Sequence, residues 1–227
     1  MNKNHFQNIK NQIEEWIRPD YIDPEDIPSI DLYMDQITTF MDKQLQGNKR
    51  SEEDKVMTKT MINNYSKNAL LPPSDKKRYT KDHIILLIYI YYLKNFLSIN
   101  DIQTLLQPMT ENYFQKENGL TMSDIYKSLF ALEQQYGIRI RESIQEIYEI
   151  AEKQFEPSDD YLKTCSMIIM LSYDIYTKKQ LVEKLIDSLQ TKPPTKAEQK
   201  EAKEQSKQKE KEEKRRAKEE KKGNKNQ

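Results

Sequence analysis

The stretch from residue 57 to residue 106 decides the fold: MTKTMINNYSKNALLPPSDKKRYTKDHIILLIYIYYLKNFLSINDIQTLL. Thr58 is a good N-terminal cap for a polar helix over residues 59–68. The Pro72-Pro73 pair then marks a turn, because proline cannot continue a helix. A short basic loop, Lys76-Lys77-Arg78, follows the turn. A polar helix, a basic wing and supporting apolar helices in this order indicate a protein that docks on nucleic acid.

Apolar residues at helical spacing predict further helices on both sides of this stretch. Upstream, one helix is expected over residues 5–18, and another begins after Ser29 or Asp31 with Leu32 and Tyr33 in its first turn. Downstream, we predict helices over residues 81–97, from about 98 to a stop at Pro108, and over 121–135, 138–155 and 159–190, with breaks at Gly137, at Pro157 and near Thr177. Because strand signals are absent, the fold class is all-α.

The composition argues against an enzyme and against bound metal or cofactor. The chain has four glycines among 227 residues, which is too few to favour a glycine-rich loop that binds phosphate. His5 and His83 stand without cysteine or carboxylate at metal-ligand spacing, and Cys165 is the single cysteine. No nucleophile elbow or paired-carboxylate motif occurs. The sequence therefore predicts a non-enzymatic protein that needs no cofactor.

Charge is distributed unevenly along a chain whose formal net charge is zero. Residues 191–227 contain 14 Lys or Arg and 8 Asp or Glu, so the remaining 190 residues carry a net charge of −6. Within that acidic part, residues 58–82 contain six basic and two acidic side chains, a local charge of +4. This positive island is the predicted anion-binding surface. The Lys/Glu-rich tail has no large apolar residue, which predicts a disordered segment.

No segment of the sequence indicates secretion or a membrane span. The N-terminal residues lack an apolar signal region. The longest apolar run, residues 84–93, is about half the length that a membrane span needs. We therefore expect a cytoplasmic protein without membrane contact.

The residues quoted above resemble the MerR-type winged helix-turn-helix. That family has a recognition helix with an aromatic residue near its end, a Gly-Leu-Leu-x-Pro turn, an Arg-Tyr wing and a Gly-Phe-Ser-Leu motif. The matching positions here are Tyr65, Ala69 to Pro73, Arg78-Tyr79 and Phe96 to Ile102. The segments LYMDQITTFM and MTKTMINNY are also similar to an uncharacterised bacterial family of unknown function with a MerR-like N-terminal half. The resemblance covers residues 30–108.

This resemblance implies a dimeric transcriptional regulator that binds double-stranded DNA, with an effector that the sequence does not identify. Amides of the recognition helix would pair with adenine edges, and lysines would reach guanine or phosphate. Wing residues would contact phosphates and set the register. The candidate DNA-binding residues are Lys59, Thr60, Asn63, Asn64, Lys67, Lys76, Lys77, Arg78 and Tyr79. Tyr65 lies on the apolar side of its helix, which favours a core position over a contact with DNA.

The predicted organisation has four parts: an N-terminal helix and connector (1–28), the MerR-like region (29–110), a helical dimerisation or effector region (111–190) and the charged tail (191–227). Three departures from the MerR pattern keep an alternative open. Ala69 stands where the family has glycine, Asn63 where it has arginine, and residues 47–55 form a loop longer than the usual three or four residues. The alternative is a non-enzymatic protein-interaction scaffold that retains the fold without specific DNA binding.

Overall fold

The computed structural model describes residues 5–16 and 22–189, and within them the chain is mostly helical, which confirms the all-α class. The predicted disorder of residues 191–227 concerns a segment outside the described residues. The helices are α1 (His5–Trp16), α2 (Met34–Gln44), α3 (Lys59–Lys67), α4 (Lys81–Leu93), α5 (Ile99–Tyr113), α6 (Met122–Gln154) and α7 (Asp160–Leu189). Two short strands, β1 (Leu32–Tyr33) and β2 (Arg78–Tyr79), form an antiparallel pair.

Helix α4 is the centre of the main core. It is apolar on every side, and Ile84, Ile85, Leu86 and Leu87 are fully buried. A helix with this pattern needs neighbours all round, and here they come from α2, α3, α5, the start of α6 and the end of α7. The hydroxyl of Tyr126 on α6 donates a hydrogen bond to the Ile22 carbonyl at 2.6 Å, so the connector before β1 is fastened to the same core.

Local capping explains where several helices begin. The hydroxyls of Thr58, Ser98 and Thr121 each accept a hydrogen bond from a backbone N–H in the first turn of α3, α5 and α6. The carboxylates of Asp101 and Asp124 in turn accept a hydrogen bond from the backbone N–H of Ser98 and Thr121, which completes a capping box in each case. Since each cap is a sequence-local arrangement, these three helix starts follow from the sequence pattern.

The prediction that Leu32 and Tyr33 belong to α2 was wrong. They form β1, in which Leu32 faces Tyr79 and Tyr33 faces Arg78 across the strand pair. The helix begins only at Met34, and the Tyr33 N–H donates a hydrogen bond to the Gln36 side-chain oxygen at 2.8 Å. Strand β1 forms only by pairing with β2, which begins 46 residues later, and the local apolar spacing does not predict that pairing.

Pro108 does not end α5, contrary to the sequence-based prediction. The helix continues to Tyr113 with the proline inside it. Side chains stabilise the turns around the proline: Thr110 Oγ1 donates to the Leu106 carbonyl at 2.9 Å, and Asn112 Nδ2 donates to the Pro108 carbonyl at 2.7 Å. An internal proline costs about 3 kcal/mol, so other interactions must hold this helix together.

The predicted breaks at Gly137 and Thr177 are also absent from the structure. Residues Met122–Gln154 form one helix through Gly137, and Asp160–Leu189 form one helix through Thr177. A helix-interior glycine costs about 1 kcal/mol relative to alanine. The buried face of α6 continues on both sides of it, through Tyr126 and Tyr148, so tertiary packing outweighs that cost.

A second, smaller core joins α1, α6 and α7. The rings of Phe6 and Tyr148 are stacked with centroids 4.6 Å apart, and Met167 of α7 packs in the same cluster. The Phe6 N–H donates to Asp160 Oδ2 at 3.3 Å, which ties α1 to the beginning of α7. The α7 side chains that face this core leave another apolar face of the helix exposed to solvent.

The chain divides into two units at residue 187, and the structure describes most of the first. The first contains both cores, and the second contributes only the last two residues of α7 to the described part. The main core draws on residues from either side of position 110, including Leu106, Met122 and Ile186. The four-part organisation stays a prediction. None of the helices in residues 5–16 and 22–189 combines the length and the hydropathy that a membrane span requires.

Candidate nucleic-acid interface

Helix α3 presents the polar residues that the sequence singled out. Ile62 and Tyr65 face the main core, and Tyr65 is only 7% exposed, which confirms its predicted core position. Burial raises the pKa of the Tyr65 phenol, so the residue is a neutral packing group. The other faces of the helix point to solvent, where five of the candidate residues lie exposed: Lys59, Thr60, Asn63, Asn64 and Lys67.

The exposed lysine at the beginning of α3 has an ionic partner on α2. The Lys59 ammonium forms a salt bridge with the Asp35 carboxylate, and both side chains are mostly exposed. Asp35 belongs to the first turn of α2, where a carboxylate also favours the positive end of the helix dipole. The sequence gives no signal for this pair, because 24 residues separate its members.

The C-terminal end of α3 is a Schellman turn built on Ala69. The Leu70 N–H donates to the Tyr65 carbonyl at 2.9 Å, and the Ala69 N–H donates to the Ser66 carbonyl at 3.2 Å. Ala69 has φ of 54°, the left-handed region that favours glycine. The MerR pattern has glycine at this position, so the departure noted in the sequence leaves the turn intact but strained.

Ala69→Gly is expected to stabilise the fold by about 1 kcal/mol, because glycine adopts positive φ without the steric cost of Cβ. Urea unfolding followed by circular dichroism measures this change as a higher midpoint at an unchanged slope. Ala131→Gly is the matched control, since residue 131 lies in the middle of α6, where the same change should destabilise by a similar amount. An equal loss of stability in both variants would contradict the strain at Ala69.

The wing is a two-residue β-hairpin with lysines at both turn positions. The Arg78 N–H donates to the Asp75 carbonyl at 2.8 Å, and Asp75 and Arg78 form a bridge that closes the turn. Lys76 and Lys77 have φ of 49° and 62°. Two consecutive positive φ values define a type I′ turn, in which Asn-Gly is preferred. Lys76, Lys77 and Arg78 are all exposed.

Tyr79 does not belong with the exposed candidates. Its side chain is 4% exposed, and its ring makes an edge-on contact with the His83 ring at 5.4 Å between centroids. Alternation along β2 explains the position, since Arg78 points outward and the next residue must point inward. Tyr79 is therefore a core residue that anchors the wing.

His83 links the wing to the beginning of α4. The Thr80 N–H donates to His83 Nδ1 at 3.0 Å, so Nδ1 accepts and the proton of the neutral ring lies on Nε2. The ring is 1% exposed, and Nε2 has no hydrogen-bond partner among the described residues. The Thr80-x-x-His83 spacing is that of a capping box, a signal present in the sequence that our interpretation overlooked.

Burial lowers the pKa of His83, while the nearby Pro73 and Pro72 carbonyls and the charges of Asp82 and Asp31 oppose that shift. The unfolded imidazole takes up a proton near pH 6.5, and the folded one does so only at lower pH. The contribution of His83 to the free energy of unfolding is therefore fully present above pH 6.5 and decreases as the pH falls below that value. Comparing urea midpoints at pH 7.5 and 5.5 measures this loss.

His83→Gln keeps the capping-box spacing and removes the titrating ring, so the part of the pH dependence that comes from His83 should disappear. His5→Gln is the control, since it replaces the other histidine of the chain. If wild type and His83→Gln lost the same stability between the two pH values, the buried neutral imidazole would not be the cause.

A cavity of about 410 Å³ lies beside this surface, between the chain that leaves α3 and one side of α5. A second cleft, of about 690 Å³, separates α2 from the loop over residues 46–57 and is lined mainly by charged side chains. No group of three or more histidine, cysteine or carboxylate side chains able to hold a metal ion occurs in residues 5–16 and 22–189.

Comparison with known proteins places part of this structure in a family. Residues 22–129 match the family described as Domain of unknown function (DUF1836). No curated protein and no solved structure gives a significant match to the chain. The match covers β1, the candidate interface, α4, α5 and the beginning of α6. Residues 22–129 of this chain are therefore a DUF1836 domain, in an uncharacterised family.

Proposed function

We propose that this protein is a DNA-binding transcriptional regulator that acts as a dimer. In this proposal, α2, α3 and the hairpin over Asp75–Arg78 form a MerR-like winged helix-turn-helix. Helix α3 is the recognition helix, and the hairpin is the wing. The exposed polar side chains of α3 and the exposed cations of the hairpin belong to one packed body, which supports the proposal.

The observation that carries the proposal is the placement of Lys76 and Lys77 in the strained turn. A left-handed conformation costs a residue other than glycine roughly 1–2 kcal/mol. The turn would be more stable with Asn-Gly, and it holds two lysines beside Arg78 instead. Strain of this kind is found at functional sites, where the rest of the fold compensates for it. Three exposed cations on a tight hairpin are suited to phosphate contacts.

The exposed residues of α3 have complementary roles in this proposal. Asn63 and Asn64 pair with adenine edges in the major groove, and Lys67 reaches guanine or phosphate. Thr60 donates its hydroxyl to phosphate. Lys59 must exchange its salt bridge with Asp35 for a phosphate, so Asp35 lowers the affinity for DNA of any sequence. Tyr79, buried in the core, makes no contact with DNA.

The exposed face of α7 supports the dimeric state. Pairs of apolar residues recur every seven positions: Tyr161-Leu162, Ile168-Ile169 and Ile175-Tyr176. All six side chains are exposed, whereas Lys163 is buried and Met167 lies in the smaller core. A seven-residue repeat keeps these side chains on one face of the helix, as in a coiled coil, although here the members of each pair are adjacent rather than three or four residues apart. We call these six residues the α7 seam and propose that it pairs with the seam of a second copy.

The same seam favours one alternative, a protein-interaction scaffold without specific DNA binding. An exposed apolar stripe of this length also fits the amphipathic helix of a different protein. The two functions differ in the other surfaces that they require besides the α7 seam. A regulator needs the cations of the wing and the amides of α3, and a scaffold needs neither.

The experiment that tests the proposal is selection of random-sequence duplex DNA by the purified full-length protein, followed by fluorescence anisotropy on the enriched duplex. A regulator is expected to enrich an inverted repeat, because two copies related by a twofold axis read two half-sites. Its affinity should decrease steeply between 50 and 200 mM salt as phosphate contacts release counterions. Recovery of no enriched sequence, together with binding that ignores salt, would refute the regulator and favour the scaffold.

A further inference from the structure

The cavity of about 410 Å³ beside α3 has the chemistry of a small-molecule site. Its volume lies within the range of pockets that hold small ligands. Buried side chains of Leu70, Leu71 and Leu106 form its apolar floor. Pro72 and Pro73 line the side nearest the wing. An apolar floor with a few polar groups at the rim is typical of a ligand site rather than of a packing defect.

Several polar groups at the rim make no hydrogen bond to another described residue. Gln107 Nε2 donates to Glu111 Oε1 at 2.7 Å, and Thr110 Oγ1 donates to the Leu106 carbonyl at 2.9 Å. The Ser66 hydroxyl and the Gln103 amide line the same cavity, and neither has a hydrogen-bond partner among the described residues. These two groups and the second oxygen of Glu111 are thus available to a ligand.

Charge determines the class of ligand. Glu111 is the one ionisable residue among the described residues that line the cavity. A carboxylate at the rim repels anions and attracts cations, while the floor requires an apolar body. We propose that this cavity binds a small organic amine whose apolar part covers the leucines and whose ammonium group faces Glu111.

The position of the cavity connects this ligand to the proposed function, on which the regulatory part of the inference rests. Ser66 and Ala69 belong to the turn that ends α3, and Pro72 begins the segment that leads to the wing. A bound amine would contact both sides of the strained connection at Ala69. Binding therefore changes the position or the order of α3 relative to the wing, and so changes affinity for DNA.

The test is a titration of the ¹⁵N-labelled full-length protein with phenethylamine, followed by two-dimensional NMR. Phenylacetate, which has a similar shape and the opposite charge, is the matched ligand. Millimolar phenethylamine is expected to shift the backbone amides of Ser66, Ala69, Leu71, Gln103 and Gln107, and phenylacetate is expected to leave them unchanged. Equal shifts from both compounds, or none from phenethylamine, would overturn the proposal.

Two variants make the test specific to the cavity. Gln103→Trp fills the cavity from its half-exposed rim and should abolish the shifts, and a well-dispersed spectrum shows that the variant is folded. Glu111→Gln should weaken phenethylamine binding by about fivefold, as expected for an exposed ion pair. Glu117→Gln, an exposed position outside the cavity, should have no effect. Shifts that persist in Gln103→Trp would place the amine elsewhere and reject this site.

Anisotropy with the enriched duplex, with and without phenethylamine, tests the regulatory part separately. A change of several-fold in DNA affinity, absent in Gln103→Trp, is the expected result. Amine binding that leaves DNA affinity unchanged would overturn the regulatory role of the site. If the protein bound no DNA, the proposed function would fail, while the NMR titration would still decide whether the amine site exists.

Discussion

Replacing Lys76 with Asn and Lys77 with Gly is expected to stabilise the fold and to weaken DNA binding in the same molecule. Asn-Gly is the preferred sequence of a type I′ turn, and both lysines have positive φ. Relief of that strain should add about 1–2 kcal/mol to the free energy of unfolding. The variant has two fewer cations in the wing, whose backbone geometry is otherwise kept. A loss of DNA affinity could therefore not be attributed to misfolding.

The size of the effect on binding follows from counterion release. Each phosphate contact contributes about 0.9 to the slope of log affinity against log salt concentration. Removing two contacts should make the slope shallower by about 1.8 and weaken binding on the order of 10- to 100-fold at low salt. Anisotropy between 50 and 200 mM salt measures both quantities on the enriched duplex.

Lys116→Gln combined with Lys127→Gln is the matched control for the wing variant. Both lysines are exposed, and both lie outside the predicted interface, so the same net charge is removed elsewhere. The control should keep the salt slope of the wild type. A stabilised Lys76→Asn/Lys77→Gly variant with wild-type affinity and slope would show that the hairpin does not touch DNA, and the strain at the two lysines would need another explanation.

Ile168→Glu combined with Ile175→Glu is expected to separate the proposed dimer into monomers. Both isoleucines are exposed, 58% and 64%, and lie one heptad apart on the α7 seam. Both side chains are mostly exposed within one copy and lie outside both cores, so the fold should persist. In a paired seam each glutamate would bury a charge against apolar side chains, which costs several kcal/mol unless the charge is paired. Dimer affinity should fall by at least about 100-fold, as measured by sedimentation at several concentrations.

Ile30→Glu combined with Leu120→Glu is the control for the seam, because both residues are exposed apolar side chains away from α7. This variant should sediment as the wild type does. The seam variant should also lose tight binding to the inverted repeat, because two linked half-sites provide affinity through effective concentration. A wild-type monomer, or a dimer that survives both glutamates, would reject the seam as the interface.

Lys179 suggests the relative direction of the paired helices. It follows Cys165 and Ser172 at the same heptad position. A parallel pair would place the two Lys179 ammonium groups, each paired with Glu183 of its own helix, against each other, whereas an antiparallel pair centred near Ser172 separates them by about 21 Å along the helix. Oxidation should then cross-link Ser172→Cys in a Cys165→Ser background and leave wild-type Cys165 uncross-linked. Efficient cross-linking of the wild type would indicate the parallel arrangement.

Much of the helical fold could be predicted because its causes are local. The caps at Thr58, Ser98 and Thr121 and the apolar spacing of α3 and α4 place helix starts and buried faces within a few residues. The sequence showed that Ala69 replaces the glycine of the MerR pattern. Only the backbone angle shows that the turn still forms there, with Ala69 in a strained conformation. Such features depend on interactions within a few residues, although helices of this length are stable only when they are packed.

The errors have a common cause in long-range packing. Sequence rules ended α5 at Pro108 and divided α6 at Gly137, yet burial against other helices stabilises both continuous helices by more than the one to three kcal/mol that these residues cost. Strand β1 needed a partner 46 residues away. A tyrosine can contact DNA, but Tyr79 lies in the core because the alternation of side chains along the strand directs it inward.

The sequence by itself determined the helical class, the polar face of α3 and the basic loop that precedes α4, because these depend on residue type and short-range spacing. Only the tertiary structure decided which of the candidates are exposed, that Lys59 is paired with Asp35, and that Lys76 and Lys77 occupy a strained turn. The cavity beside α3 likewise exists only because α5 packs near the turn at Ala69. The salt bridge and the cavity join residues far apart in the chain, and the hairpin is extended by the pairing of β2 with β1, so the shared core rather than local preference sets these distances.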